Sequence, residues 1–324
     1  MDTRDRLVIH LKDAKGAWVS GEALSRTLDI TRAAVWKHVC RLREEGYEID
    51  SSPRKGYFLR SAADSLLPGE VLHGLQTRCL GRRIDYRPEV DSTNRIAKEL
   101  AMAGEPEGTL VLADRQTGGR GRKGRAWFSP PGGGIYLSLI LRPGLHPVEA
   151  PKMTLLAGVA LAETLLPLVH SGVAIRWPND IYSRGKKIAG ILTEVATEID
   201  AMDYLVLGVG LNVSIPRERF PAELRGRATS LVSETGAPAR RAELLSDFLS
   251  RLEKHYFGIG EAGFSPVLQR WRELTDTIGK RVRTIWPDRP VEGIVAGIDE
   301  EGKLLLKRPD GSIRQILSGE LEYL

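Results

Sequence analysis

Only two cysteines, Cys40 and Cys79, occur in 324 residues. That is too few for a disulfide framework or a thiolate metal cluster, and it suits a reducing compartment. No apolar run is long and unbroken enough to read as a membrane span. The longest, MTLLAGVALAETLLPLVH (153–170), contains Glu163 and Pro167 and reads as a buried helix. The opening residues MDTRDRLVIHLKDAKG mix acids with bases and hold no signal-peptide core, so a cytoplasmic location with no membrane partner is expected. No G-x-x-x-x-G-K-[ST] occurs, which excludes a P-loop, and no Ser–His–Asp or Cys–His arrangement suggests a covalent nucleophile. What is present is ordinary for a globular chain: 42% hydrophobic, 27% charged, a net charge of +5, and length for two or three domains.

Residues 1–63 differ in kind from the rest and read as three short helices and a hairpin. In WVSGEALSRTLDITRAAVWKHVCRLREEGYEIDSSPRKGYFLR, Ser20 is placed to N-cap a helix to about Leu28, and Thr31 a second helix to about Glu45, stopped by Gly46. So tight a connection is a helix-turn-helix, whose second helix enters the major groove. Val35, Val39 and Leu42 recur at core spacing on that helix, which leaves Arg32, Trp36 and Lys37 for the outer face. YEID and GYFLR read as the strands of a wing, and Arg54 and Lys55 between them as phosphate contacts. The expectation is a winged helix-turn-helix domain that binds operator DNA. A helical protein-interaction module with a solvated basic face is the alternative.

SAADSLLPGE (61–70) reads as a boundary, with a new helix opening at Pro68. Residues 64–275 then alternate strands, near 83–90, 108–113, 134–142, 173–176, 187–196 and 203–213, with helices near 92–103, 150–169 and 240–258. An α+β architecture with a mixed sheet follows. Within it, DRQTGGRGRKGR (114–125) has Gly119, Gly121 and Gly124 at the G-x-G-x-x-G spacing of a dinucleotide site. That motif needs a helix starting at the glycines, and AWFSPPGGG cannot form one. The segment reads instead as a loop, mobile until an anion orders it, with Arg120, Arg122 and their neighbours offering forks for carboxylate or phosphate. A second nucleic-acid patch is the alternative that this loop alone leaves open.

Four segments in order, EVDSTNRIAKEL, RQTGGRGRKGRAWFSP, RWPNDIYSRGKKIAGIL and GVGLNV, make the chain resemble the biotin protein ligase family. With the amino-terminal module it is similar to the bifunctional type, which also represses biotin genes. The resemblance implies a class II synthetase-like catalytic domain that joins biotin to ATP as biotinyl-5′-adenylate. It also implies transfer to a lysine of the biotin carboxyl carrier protein of acetyl-CoA carboxylase. Carried over, Ser92, Thr93, Asn94, Gln116, Arg120, Gly121, Arg122 and Lys187 would hold biotin, with Lys187, Arg122 and Arg120 catalytic. Arg122, Trp127, Asn179, Asp180 and Asn212 would meet ATP, and Asp180 its Mg²⁺. Trp127 would close over the ligand. A homodimer in the adenylate-bound state is expected from the same resemblance.

Taken singly, several of these residues have plainer readings: Ser92 and Thr93 as a helix cap, Asn179 and Asp180 as turn formers, Lys187 as a solvated lysine, Trp127 as core. Two other functions compete: a DNA-binding ligand sensor without catalysis, and a lipoate or octanoate ligase. Residues 276–324 read as short strands separated by turn signals and resemble the family's SH3-like β-barrel.

Overall fold

The computed structural model describes residues 2–169, 172–178, 180–198, 201–285, 290–317 and 319–324. It forms two compact units, Met1–Gln76 with Arg240–Ser246, and Thr77–Ala239 with Asp247–Leu324. The first thus takes in the helix beyond the expected boundary at residue 63, and the second holds the central and carboxy-terminal modules together.

In the first unit, α1 (Thr3–Asp13) starts at a capping box formed by Asp2 and Asp5. The next helices, α2 (Gly21–Leu28) and α3 (Arg32–Glu44), start where the sequence places them. Ser20 Oγ accepts from the Ala23 N–H at 3.0 Å and Thr31 Oγ1 from the Ala34 N–H at 3.2 Å. Between them Asp29 turns the chain in the left-handed region, at φ 55°. Val35, Val39 and Leu42 are completely buried. The wing is an antiparallel pair, β1 (Glu48–Ser52) and β2 (Gly56–Ser61). It turns at Gly56, whose φ of +95° suits glycine and where a Cβ would stand 2.1 Å from the Val19 carbonyl. Helix α4 (Pro68–Gly74) joins this unit through buried polar groups. Glu70 pairs with Lys12 at 2.6 Å and accepts from the Tyr47 hydroxyl at 2.9 Å, while Asp5 accepts from the Gly69 N–H at 3.1 Å. Buried carboxylates need such partners, so α4 is held where α1 and Tyr47 can supply them.

The second unit is organised on a seven-stranded sheet of β3 (Arg83–Val90), β4 (Thr109–Gln116), β5 (Gly134–Leu141), β6 (Val173–Arg176), β7 (Asp180–Ser183), β8 (Lys186–Glu198) and β9 (Ala201–Asn212). Its order is β3-β4-β5-β9-β8-β7-β6, with β3 and β4 parallel and every other pair antiparallel, the mixed sheet the alternation implied. Strand β7 is an addition: IYS between Pro178 and Gly185 is too short to separate from a turn by pattern. Helix α5 (Thr93–Met102) covers β4, β5 and β9, while α6 (Ala150–Val169) covers β6, β7 and β8. Although α6 and its lead-in, Pro147–Val169, are long and apolar enough to cross a membrane, Met153, Leu156, Val159 and Ala160 are completely buried against the sheet and neighbouring helices. Then come α7 (Leu231–Thr235), α8 (Arg241–Ala262) and α9 (Ser265–Leu274), of which α9 packs on α6, buries Trp271 completely and was not anticipated.

The carboxy-terminal module is a five-stranded antiparallel sheet in the order β13-β12-β11-β10-β14. Its strands are β10 (Arg281–Thr284), β11 (Glu292–Ile298), β12 (Leu304–Lys307), β13 (Ile313–Ile316) and β14 (Leu321–Tyr323). It is fastened to the larger sheet. Trp177 Nε1 donates to the Gly302 carbonyl at 3.2 Å, and the Arg176 guanidinium lies between the Tyr182 and Tyr323 rings, 4.1 and 4.7 Å from their centroids.

Candidate active site

The second unit contains a cavity of about 670 Å³, within the range of small-molecule sites. Its buried end is made where β4 stops and α5 begins. Ser92 occupies the N-cap position of α5, yet its hydroxyl makes no cap hydrogen bond, so helix capping does not account for it. Gln116 Oε1 accepts from both the N–H and the hydroxyl of Thr93, at 2.9 and 3.1 Å, and Gln116 Nε2 donates to Ser129 Oγ at 3.1 Å. Asn94 donates to Glu194 Oε2 at 2.8 Å, and its Oδ1 accepts from the Ser138 hydroxyl at 2.5 Å. All of these side chains are neutral except Glu194, which Lys98 pairs.

Two glycines of GVGLNV make room here, and sequence reading passed over them. A Cβ at Gly208 would stand 2.0 Å from Asn94 Oδ1, and one at Gly210 would stand 2.4 Å from Trp127 Nε1. On the neighbouring strand Gly190 faces Gly210, and a Cβ there would lie 3.2 Å from the same indole. Glycines inside a strand often mark a close approach, and that was the legible signal. Trp127 lies against this glycine floor beside the cavity, partly exposed. Its Nε1 is buried without a hydrogen-bond partner among the described residues. Partly exposed and lining the cavity, it is not ordinary core.

The glycine-rich loop forms the other end. As expected, the glycines open no helix of more than one turn: Arg122–Gly124 is a single 3₁₀ turn, with Lys123 and Gly124 at φ 57° and 72°. The loop doubles back on itself, the Gly121 N–H donating to the Arg125 carbonyl at 2.7 Å and the Trp127 N–H to the Gly119 carbonyl at 2.9 Å. Its cations are not left to repel one another. Arg115 pairs with Glu89 at 2.8 Å, Arg125 with Glu320 at 2.6 Å, and Arg122 donates to the Gly319 carbonyl at 3.1 Å. Burial lowers the Arg122 pKa below the usual guanidinium value, opposed by the carboxylates of Asp180 and Glu320. Arg120 is exposed and makes no ion pair among the described residues.

Lys187 faces this loop from β8. Its Nζ is 2.7 Å from Asp180 Oδ1, an ion pair without hydrogen-bond geometry, and 5.4 Å from the Trp127 ring centroid. Its backbone is fixed by the 227–229 segment, donating to the Arg227 carbonyl at 2.8 Å and accepting from the Thr229 N–H at 2.9 Å. Asn212 ends β9 and lines the cavity, its Nδ2 donating to the Thr229 carbonyl at 3.0 Å. The structure thus brings Ser92, Thr93, Asn94, Gln116, Arg120, Gly121, Arg122, Trp127, Asp180, Lys187 and Asn212 to one cavity. Asn179 lies outside the described residues. Tyr182, Arg227 and Glu320 also line the cavity. They escaped sequence reading because a strand register, a loop return and the carboxy-terminal sheet bring them there.

Among the described residues no group of three or more His, Cys, Asp and Glu side chains could hold a metal ion. Asp180 is a single carboxylate already paired with Lys187. That donor set fits a magnesium ion that keeps its water and phosphate ligands, not a resident protein-caged metal.

In the first unit Arg32, Trp36 and Lys37 stand exposed on α3, Trp36 at 55%, and Arg54 and Lys55 are exposed in the wing turn. Lys55 Nζ lies 5.7 Å from the Trp18 ring centroid. Basic side chains on the second helix and on the wing are the arrangement that major-groove and phosphate contacts require.

Comparison with known proteins agrees with both parts. Residues 86–212 match the Biotin/lipoate A/B protein ligase family, residues 3–58 an HTH domain, and residues 277–322 the Biotin protein ligase C terminal domain. The bifunctional ligase/repressor BirA of Bacillus subtilis is 39% identical over 98% of both chains. That of Escherichia coli is 35% identical over 95% of this chain and 94% of its own. The biotin protein ligase from Aquifex aeolicus in complex with biotin and ATP superposes with a TM-score of 0.65 at 31% identity, covering 75% of this chain and 99% of that one. The chain belongs to the biotin protein ligase family and carries the amino-terminal helix-turn-helix domain of its ligase/repressor members.

Proposed function

We propose that the protein is an ATP-dependent biotin protein ligase that also represses transcription of biotin genes. One observation carries the ligase reading: a single cavity joins a buried, neutral, hydrogen-bonded end to an end ringed by Arg120, Arg122 and Lys187. That polarity matches a ligand with an uncharged head and a carboxylate tail that must meet a triphosphate. Ser92, Thr93, Asn94 and Gln116 take the head, and Arg120, Gly121, Arg122 and Lys187 take the carboxylate.

In the first step a biotin carboxylate oxygen attacks the α-phosphorus of ATP. The bond from that phosphorus to the bridging oxygen breaks, pyrophosphate leaves, and a mixed anhydride with AMP remains. Attacker and target are both negative, so the chain's contribution is positioning and positive charge. Lys187 supplies a compact charge at the forming bond. Arg122, already partly desolvated, supplies a fork that needs little further dehydration. Magnesium would enter as part of the MgATP substrate and screen the phosphates, with Asp180 the residue placed to meet it. Trp127 and Asn212 border the nucleotide. In the second step an unprotonated lysine amine of the acceptor attacks the biotinyl carbonyl. AMP leaves, and the amide nitrogen loses its extra proton. The acceptor is the biotin carboxyl carrier protein of acetyl-CoA carboxylase, and the setting is cytoplasmic.

Repression follows from the winged helix. Arg32, Trp36 and Lys37 meet base edges, and Arg54 and Lys55 meet phosphates of an operator read by a homodimer, which the adenylate favours.

Intact mass after incubation with biotin, MgATP and a carrier domain tests the ligase. A gain of one biotinyl group on the carrier is expected, with lipoate giving none; no gain overturns the reading. For the repressor, neutralising Arg54 and Lys55 should weaken operator binding and flatten its log–log salt dependence by about one per residue in each protomer of the dimer. Unchanged affinity and slope would remove those two residues from the interface.

A further inference from the structure

We infer that Glu194 and Ser138, neither of which lines the cavity, are positioning residues that fix the direction of the Asn94 amide and so the polarity of the cavity's buried end. The inference rests on the biotin-ligase reading of that cavity.

An amide side chain has two ends of nearly equal size and opposite hydrogen-bonding sense, so its neighbours must decide which end points where. Asn94 is 7% exposed and reaches down to the sheet at Gly208, too buried for water to accept either orientation. On its nitrogen side stand Glu194 Oε2 at 2.8 Å and the Leu192 carbonyl at 3.4 Å, both from β8. Both are acceptors, the Glu194 carboxylate being the partner of Lys98 in an ion pair. A reversed amide would press its oxygen against a carboxylate and a carbonyl. On its oxygen side stands the Ser138 hydroxyl at 2.5 Å, from β5, fully buried. The two strands therefore impose the same answer from opposite sides.

The consequence passes to the residues that do line the cavity. Asn94 Oδ1 can only accept, so the single proton of Ser138 is committed to it. Thr93 Oγ1, the other acceptor within reach of the Ser138 hydroxyl at 2.8 Å, is then left with its lone pair free. The Thr93 hydroxyl itself donates to Gln116 Oε1 at 3.1 Å. Thr93 thus spends its only proton inside the network, and its oxygen meets the ligand as an acceptor fit for an N–H. Glu194 thus acts on the ligand through Asn94, Ser138 and Thr93, without touching it.

The test is calorimetric titration of biotin into the full-length protein, alongside steady-state kinetics, for wild type, Glu194→Ala, Glu194→Gln, Ser138→Ala, Asn94→Ala and the Glu194→Ala/Asn94→Ala double variant. Loss of the hydrogen bond that holds the amide should weaken biotin binding about 10- to 100-fold in Glu194→Ala and Ser138→Ala. Glu194→Gln, whose own amide can turn, should fall between Glu194→Ala and wild type. In Glu194→Ala and Ser138→Ala the KM for biotin should rise while kcat and the KM for ATP stay within about twofold of wild type. The distinguishing result is the cycle: once Asn94 is gone, Glu194→Ala should cost nothing further. Circular dichroism and thermal melts identify variants that fail to fold, and the two positions lie on different strands, so one serves if the other is lost. Wild-type affinity in both single variants overturns the inference, as does a Glu194→Ala loss that persists without Asn94. Absence of biotin binding by the wild type is a separate result, which overturns the ligase reading itself.

Discussion

At the buried end of the cavity, Thr93, Asn94 and Gln116 are tied to Ser138, Ser129 and Glu194 by hydrogen bonds of 2.5 to 3.1 Å. At the more exposed end, Arg122, Arg125 and Lys187 are tied to a carbonyl and two carboxylates, two of these three partners being Gly319 and Glu320 beside the carboxy-terminal sheet. The first kind of order is directional. A neutral donor that faces a donor after water has left costs the full desolvation of both, so the pattern must be settled before the ligand arrives. The second kind is charge balance. Coulomb attraction falls slowly with distance and tolerates misplacement, and a phosphate can take over a guanidinium from a carboxylate without changing its geometry. One end therefore discriminates by hydrogen-bond sense, and the other attracts by charge and is sensitive to salt.

The largest way to break that contrast is Lys187→Ala. Adenylate formation, read as pyrophosphate release, should fall roughly 1,000-fold with the fold retained, the scale of losing one aimed charge at a reacting centre. Near-normal release would remove Lys187 from the chemistry. Next comes Gly210→Val, which keeps every charge and every polar group but puts a side chain where Trp127 lies, 2.4 Å from its Nε1 at the Cβ alone. Displacing the indole by an ångström should cost about 100-fold in kcat/KM and quench or shift the tryptophan emission. Unaltered emission and activity would show the glycine floor to be incidental.

Gln116→Ala sharpens the comparison from the buried side. Biotin affinity should drop about 10- to 100-fold, and the drop should be the same in low and high salt because no net charge is involved. A salt-dependent loss would contradict the neutral character of that end. The smallest effect is expected of Arg125→Ala or Glu320→Gln, which open an ion pair whose arginine is 68% exposed. Such pairs are worth about 0 to 1 kcal/mol, so kcat/KM should change less than about fivefold, and the difference should vanish at high salt. A much larger loss would make the loop's attachment to the carboxy-terminal module essential to catalysis.

Parts of this were legible in the sequence. Ser20 and Thr31 announce their helices because a cap acts within three residues, and Val35, Val39 and Leu42 announce a core face because helical spacing is local. GGRGRKGR followed by two prolines announces a loop for the same reason. The absence of a dinucleotide-type helix at that loop, the strands from Arg83 to Leu141 and the length of α6 were therefore readable. Strand β7 and helix α9 were not, since a four-residue strand between turn signals has no period to recognise, and α9 is defined by the burial of Trp271 against distant helices.

The sequence by itself determined which chemistries were available: neutral polar residues at the start of α5, arginines on a glycine loop, a lysine on a strand, and a basic helix at the amino terminus. Only the tertiary structure decided how they act together. Register puts Gly190 opposite Gly210 and so makes a seat for Trp127, and Gly208 opposite Ser138 and so makes room for Asn94. The return of the carboxy-terminal chain gives Arg122 and Arg125 their partners nearly two hundred residues away. Spacing along a chain carries information over a few residues, whereas pairing between strands is fixed by the burial of whole faces, which no short stretch encodes.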